Sequence, residues 1–433
     1  MSRVSAGRRA ALEVLEAVER GRRLDRALAD ARGSVPERER PFLHELTYGV
    51  IRLRGRLDHL LDHHLRDGIA SVPTRVLQIL RFGAYQLLHL DGIPAYAAVS
   101  QSVEQVREAV GKGLAGLVNG VLRSVQRAGE DPALFPGFEE DPAGHLSTWG
   151  SHPPWLVERW LRRWSPGEVR ALVESDNEIP PIYLRPVGVD PEAAVRRLAA
   201  EGIEAREVGG GTGCVRLPIG TDPARALGVV PAVVQDPGAA LAVAYAAPDP
   251  GSRVADLCAA PGGKALALVP AASYVLAADR SGPRLRLVRE NADRLGVGPD
   301  RLGTVEARAE EPPVASADLV LVDAPCTGTG TLRRHPDARW RTDPDGPRRM
   351  AAVQARILDG ASSAVRPGGV LVYSTCTLEP EENEETVLAF LDRHPTYRVD
   401  PGECVPPPLL DRRGFLRVLP QETGFDGAFA ARL

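Results

Sequence analysis

Two cysteines stand where covalent chemistry is possible. Cys326 lies in the run Asp323-Ala324-Pro325-Cys326-Thr327-Gly328-Thr329-Gly330, and Cys376 in Tyr373-Ser374-Thr375-Cys376-Thr377. Each run follows a short, β-rich apolar stretch. A thiol at a strand end beside a helix start can be held as a thiolate, the form that attacks an electron-poor carbon. Taken singly, each has a plainer reading as an inert buried thiol. Asp323 opens the first run, where a carboxylate can hydrogen-bond the edge of a flipped base. Arg333 and Arg334 follow and can meet phosphate. Glu381, Glu382, Glu384 and Glu385 come soon after Cys376 and are expected to cap a helix and face water.

A third segment suits a cofactor. Asp256-Leu257-Cys258-Ala259-Ala260-Pro261-Gly262-Gly263-Lys264 follows a predicted strand and opens a predicted helix. Its small residues let backbone approach a ligand closely, and a helix start offers free N–H groups. It matches neither GxGxxG nor GxxxxGK[ST], which argues against a dinucleotide fingerprint and a P-loop. Asp279 ends the next predicted strand, at the distance where a carboxylate meets ribose hydroxyls. Together the two features imply a cofactor that carries a nucleoside.

These residues need elements to position them. From about residue 226 strands and helices alternate, with candidate strands Arg253–Leu257, Tyr274–Ala278, Ala317–Val322 and Val370–Ser374. That alternation predicts a mostly parallel sheet with ligands at the strands' carboxyl ends. From Ser5 to about Val125 the pattern is helical. Ala11, Val14, Leu15 and Val18 form one apolar stripe, Leu77, Leu80, Ala84, Leu87 and Leu88 a second, and Val99, Val103, Val106 and Val110 a third. Gly/Pro breaks between them predict a compact helix bundle. Residues 128–154, rich in Pro and acidic side chains, read as a linker. A strand at Ile182–Leu184, a helix capped by Asp190-Pro191, and Glu204–Val208 paired with Cys214–Leu217 suggest a small α+β module.

With 433 residues the chain divides into two or three domains. No apolar run approaches the ~20 residues that span a bilayer, and the amino terminus lacks the apolar stretch of a signal peptide, so a cytoplasmic location is expected. The five cysteines include no CxxC pair and no accompanying His cluster, which argues for free thiols and against zinc. Residues 1–130 hold 20 Lys+Arg and 15 Asp+Glu, a basic balance in a chain of net charge −4. That balance fits a nucleic-acid contact in the amino-terminal third. Only two lysines occur, Lys112 and Lys264, and the second lies in the glycine loop.

In combination these segments resemble the RNA (cytosine-C5) methyltransferases of the Nol1/Nop2/Sun type. Asp256–Lys264 is similar to that family's cofactor loop, Asp323–Cys326 to its Asp-Ala-Pro-Cys motif, and Thr375–Cys376 to its Thr-Cys motif. Val234-Gln235-Asp236-Pro237 resembles the segment before its catalytic domain. Gly424-Phe425-Asp426-Gly427-Ala428-Phe429 resembles its terminal strand with one Phe replaced. Glu45–Val50, Arg81–Leu88 and Val118–Arg123 look like a NusB-type RNA-binding bundle. That bundle ahead of this catalytic domain is the layout of the family's bacterial Sun/RsmB branch, which methylates 16S ribosomal RNA.

The resemblance implies a multidomain chain. Residues 1–140 would form an all-α NusB-like helix bundle, 141–225 a small α+β RNA-contacting module, and 226–433 an α/β Rossmann-like methyltransferase domain. It implies S-adenosyl-L-methionine held by Cys258, Ala259, Ala260, Pro261, Gly262, Gly263, Lys264, Asp279 and Asp323. Cys376 would be the nucleophile, Cys326 would resolve the adduct, Asp323 would bind the base near N3, and Lys264 would contact cofactor or base. The expected partner is 16S ribosomal RNA, with no membrane and no metal, and the chain is expected to act as a monomer. The family's Asp-Gly pair after the third strand is missing here. Val305-Glu306-Ala307-Arg308-Ala309-Glu310 stands in its place, so either Glu306 or Glu310 substitutes, or backbone contacts suffice, or cofactor affinity is weakened, and no residue is assigned there. A nicotinamide oxidoreductase would need GxGxxG and leaves the cysteines idle. A non-catalytic RNA-binding protein would not need their motifs, and transfer RNA is the rival substrate for the same chemistry.

Overall fold

The computed structural model describes residues 4–433. They divide into two units, the first comprising the chain up to Glu178 with Leu332–Pro344, the second Ile179–Thr331 with Asp345–Leu433.

The first unit is helical. Helices at Ala6–Glu19, Arg40–Arg52, Thr74–His89, Ala95–Ala109 and Ala115–Ala128 close around one apolar core. The first predicted stripe is buried as expected, whereas in Thr74–His89 the buried face is wider, including Val76, Ile79, Phe82 and Tyr85. Val110 falls just past its helix and is exposed, because the chain leaves helical geometry there. Gly49 is required by packing, since the Tyr85 ring occupies the space a Cβ would need. Tyr85 Oη donates to Glu45 Oε1 at 2.5 Å.

The stretch 128–154 departs from the linker reading. It carries a helix at Pro142–Thr148, capped by Asp141 on the Gly144 N–H, and begins a second at Pro154–Leu161. Proline at the first position of each helix starts it rather than breaking it. Part of the basic excess is also internal. Arg81 makes a two-pronged pair with Asp58 at 2.6 and 2.8 Å, and Arg54 pairs with Glu19 at 3.0 Å. Arg333 is only 3% exposed and belongs to this unit, so it does not stand free for phosphate. Arg339 is fully buried, donating to Ser151 O at 3.0 Å, Asn177 Oδ1 at 2.9 Å and Asp176 O at 3.1 Å.

The second unit holds two sheets. The smaller contains β1 (Ile182–Pro186), β2 (Arg206–Val208), β3 (Cys214–Leu217) and β4 (Ala232–Val234) in the order β2-β3-β1-β4, all antiparallel. A helix at Pro191–Ala200 covers it, capped by Asp190 on the Glu192 N–H as its sequence predicts.

The larger sheet contains β5 (Arg253–Asp256), β6 (Tyr274–Asp279), β7 (Leu302–Glu306), β8 (Ala317–Asp323), β9 (Val365–Thr375), β10 (Leu416–Val418) and β11 (Ala428–Arg432). The order is β10-β11-β9-β8-β5-β6-β7, with β5 to β9 parallel and the last two antiparallel. It is a Rossmann-like α/β sheet. Strand residues alternate between its two faces. Val254, Leu319 and Leu321 enter one apolar cluster, and Ala255, Val320 and Val322 the other. Both faces are therefore covered, which is why these strands read as near-continuous apolar runs. Strand order reverses at β5, between β6 and β8. Such a reversal opens a crevice at the carboxyl ends of the strands, and the loops of the candidate site begin there.

Candidate active site

The loop Cys258–Lys264 leaves β5 and enters the helix Gly263–Leu268. Gly262 has φ +106°, and a Cβ there would crowd Val288 and Leu266, so glycine is needed for the turn. Asp279, at the end of β6, fixes this loop. Its carboxylate accepts from Ala260 N at 3.1 Å and from Ser281 N at 3.0 Å. Arg284 donates to Ala260 O and stands 3.8 Å from Asp279. Asp279 thus holds the turn in shape and is itself almost fully buried.

Glu306 ends β7 in register with Asp279, one strand further out. Its carboxylate lies against the backbone of Gly282, where any Cβ would collide with it. Glu306 is exposed at this strand end, whereas Glu310 pairs with Arg308 at 3.4 Å. Of the two acids expected to replace the missing Asp, Glu306 is the one placed at a strand terminus beside Asp279.

Asp256 is fully buried at the foot of the loop. One oxygen accepts from Cys258 N at 3.2 Å and the other has no hydrogen-bond partner. Burial first, then the charge of Asp323, pushes its carboxyl up to about 7, against the pull of the Cys258 N–H and Lys264. The Cys258 thiol is also pushed up, by burial and then by the charge of Asp256.

Lys264 reaches from the loop to the end of β8. Its Nζ lies 2.6 Å from Asp323 Oδ2, and Ser374 Oγ donates to Asp323 Oδ1 at 3.0 Å. Burial disfavours the Lys264 cation, but the charge and hydrogen bond of Asp323 outweigh it and the ammonium is held more firmly than usual.

The parallel ladder of β8 and β9 pairs Asp323 with Ser374. Cys326 lies three residues beyond that pair, in the loop after β8, and Cys376 two residues beyond it, just past the end of β9, so the register starts both cysteine loops from neighbouring strand ends. Cys326 Sγ and Cys376 Sγ are 3.3 Å apart, and both side chains are half-buried. The hydrogen bond to Cys376, then burial, then the Cys376 charge, raise the Cys326 thiol well above its ordinary value. Either sulfur can be the donor in this contact.

Glu382 overturns the expectation that the acids after Cys376 face water. Glu385 is exposed, but Glu382 is 0% exposed and accepts from Thr327 N at 2.9 Å and from Thr377 Oγ1 at 3.1 Å. Its position between the two cysteine loops was not apparent from a run of acids. A carboxylate six residues past the thiol, directly before an Asn, was the available signal.

Residues 243–433 match the family described as 16S rRNA methyltransferase RsmB/F. Residues 5–127 match the NusB family, and 152–222 the ferredoxin-like domain of RsmF/B-like methyltransferases. A Bacillus subtilis protein named probable ribosomal RNA small subunit methyltransferase B is 35% identical over 91% of this chain and 90% of its own. The ribosomal RNA small subunit methyltransferase B of Cronobacter sakazakii is 34% identical over 98% of this chain and 97% of its own. The crystal structure of PH0851 superposes with a TM-score of 0.79 at 23% identity, over 100% of this chain and 99% of that one, a likeness of fold. A methyltransferase homolog protein from Pyrococcus horikoshii gives a TM-score of 0.54 at 25% identity, over 67% of this chain and 98% of its own. Among the described residues no helix is long and apolar enough to cross a membrane.

Proposed function

Because this chain belongs to the RsmB/F family of rRNA methyltransferases, we propose that it transfers a methyl group from S-adenosyl-L-methionine to C5 of a cytosine in 16S ribosomal RNA. The observation that carries the C5 chemistry is the pair of sulfurs 3.3 Å apart, beside a Lys264–Asp323 ion pair. Carbon 5 of cytosine is a weak nucleophile until the ring's aromaticity is broken. Addition of a thiolate to C6 breaks it and makes C5 an enamine carbon.

The residues around the β5 loop suit the cofactor. It is a cation with ribose hydroxyls, and the loop offers close backbone at Gly262 and Gly263, an unpartnered buried oxygen on Asp256, and the carboxylates of Asp279 and Glu306. Cys258, Ala259, Ala260, Pro261, Gly262, Gly263, Lys264, Asp279 and Asp323 are the residues we assign to it. When bound, it supplies an electrophilic methyl group on a sulfonium sulfur.

Cys376 is the attacking thiolate in this mechanism. Asp323, paired with Lys264, faces the base near N3; as sulfur adds to C6, N3 takes a proton from water, and the Asp323 carboxylate accepts the hydrogen bond of the new N3–H. Lys264 keeps that carboxylate charged. Water takes the C5 proton, the C5–H electron pair re-forms the C5=C6 double bond as the C6–S bond breaks, and Cys376 leaves as a thiolate that the Cys326 S–H, its sulfur 3.3 Å away, can stabilise. The target cytosine must be unstacked to reach Cys376, so opened or looped RNA is the substrate form. We assign RNA contact to residues 1–140 and 141–225, and chemistry to 226–433.

The test is transfer of labelled methyl to protein-free 16S rRNA by wild type and Cys376→Ala. Label in 5-methylcytosine with wild type alone is expected. Label confined to transfer RNA would refute the substrate, and label in any other nucleotide would refute the chemistry.

A further inference from the structure

Strand pairing ends before the cysteines. The last backbone link between β8 and β9 on that side is Ala324 N to Ser374 O at 2.8 Å, and the two loops are joined again by Gly330 N to Cys376 O at 3.0 Å. Between those links the thiols sit on loop backbone, which no ladder holds in place.

Side chains bridge that gap. The Glu382 carboxylate accepts from the Thr327 N–H at 2.9 Å, from Thr327 Oγ1, and from Thr377 Oγ1 at 3.1 Å. It therefore grips the residue after each cysteine. Gln354, fully buried on the helix Gly346–Ser362, donates its amide to Glu382 Oε2 at 3.0 Å and to Pro325 O at 2.9 Å. Pro325 is the residue before Cys326, so Cys326 is held from both flanks. Glu382 is anchored in turn through its own carbonyl, which accepts from Tyr373 Oη at 2.6 Å. Four donors match the acceptor capacity of one carboxylate. Without Glu382 the Thr327 N–H loses this acceptor and Gln354 keeps only Pro325 O, so beyond the hydroxyl contact of Thr327 with Thr377 at 2.9 Å the two loops are joined more loosely.

We propose that Glu382 and Gln354 are positioning residues that clamp the two cysteine loops together, setting the 3.3 Å separation of Cys326 Sγ and Cys376 Sγ. Neither residue is catalytic, since each acts through the loops. The proposal rests on the reading of these thiols as the reacting pair. It also gives a role to one of the two fully buried acids of this segment, Glu379 and Glu382.

The separation can be read without activity. Phenylarsine oxide bridges two adjacent thiols, giving one dithioarsenite and one water, and the bridge resists monothiols but yields to dithiols. The full-length wild type is expected to bind one arsenical in this manner, mapped by mass spectrometry to Cys326 and Cys376. Glu382→Ala is expected to bridge at least tenfold more weakly and to lose about 100-fold in kcat, the scale of an ångström's misplacement, with KM for S-adenosylmethionine unchanged. Glu382→Gln is expected to restore bridging and most of the lost rate, because its amide can point oxygen at the Thr327 N–H and NH₂ at the hydroxyls. Gln354→Met provides the same test should Glu382→Ala fail to fold. Normal bridging and normal kcat in both clamp variants would overturn the proposal, as would a Glu382→Gln protein as impaired as Glu382→Ala. Loss of bridging in the variants of a wild type that methylates no RNA would uphold the clamp and refute the function instead.

Discussion

Replacing Asp256 by Asn should make the second unit more stable relative to wild type as pH rises. The carboxyl is fully buried, shares the neighbourhood of Asp323 around the single cation of Lys264, and holds its proton up to about 7 against an ordinary 3.8. The folded-state affinity is raised, so the stability it confers is complete below the unfolded value and is lost as pH climbs through the folded one. At pH 8 the ionisation penalty is roughly 4 kcal/mol, and at pH 5 roughly 1–2 kcal/mol. Asn carries no such penalty. It can keep the bond from the Cys258 N–H, but its buried NH₂ has no acceptor, a cost of about 1–3 kcal/mol that does not vary with pH. The diagnostic quantity is therefore the pH-dependent part, about 2–3 kcal/mol between pH 5 and 8, equivalent to a relative rise of about 4–12 °C in Tm for a unit of this size. Differential scanning fluorimetry of both proteins across that range measures it. A difference in Tm that stays flat from pH 5 to pH 8 would refute the assignment of a protonated Asp256.

Arg339→Met should lower the urea midpoint of the first unit, since it strips donors from Ser151 O, Asp176 O and Asn177 Oδ1. The expected loss is about 3 kcal/mol or more, and an unchanged midpoint would count against the role of Arg339 as an internal tie. Cys326→Ala should remove the S–H that stabilises the departing sulfur, so a covalent protein–RNA complex should accumulate on denaturing gels. A Cys326→Ala protein that turns over normally, with no such band, would contradict that role. Lys264→Met should leave Asp323 without its cation and lower kcat about 100-fold or more, assayed as methyl incorporation at saturating cofactor; a change in KM alone would show that Lys264 acts only in binding.

The strands that bear chemistry were legible because their signals are local. Arg253–Asp256, Tyr274–Asp279 and Ala317–Asp323 are short apolar runs, each closed by an acid, and the structure places all three acids at carboxyl ends of the sheet. The helix at Pro191–Ala200 was announced by Asp190 and Pro191. Other features depended on partners distant in sequence. β4 and β10, of three residues each, carry too few for a periodic pattern, and β7 interrupts its apolar residues with Gly303 and Thr304, so pairing alone makes them strands. Pro142 and Pro154 looked like breaks but start helices, since proline suits both roles. Glu382 resembled its acidic neighbours, and only the folding of Thr327 and Gln354 around it separates it from them. The approach of Cys326 to Cys376 across 50 residues depends on the β8–β9 register and on the contacts between the two loops, neither of which a single stretch of sequence encodes.

The identity of the attacking sulfur is the central claim, and a mechanism-based trap tests it most directly. A 16S rRNA fragment carrying 5-fluorocytosine at the target cannot lose its C5 substituent as a proton, so the enzyme should remain joined to C6 after methyl transfer. Digestion and mass spectrometry should place the nucleotide on the peptide containing Cys376, and Cys376→Ala should form no adduct. An adduct on Cys326, or one that forms equally well in Cys376→Ala, would contradict the account.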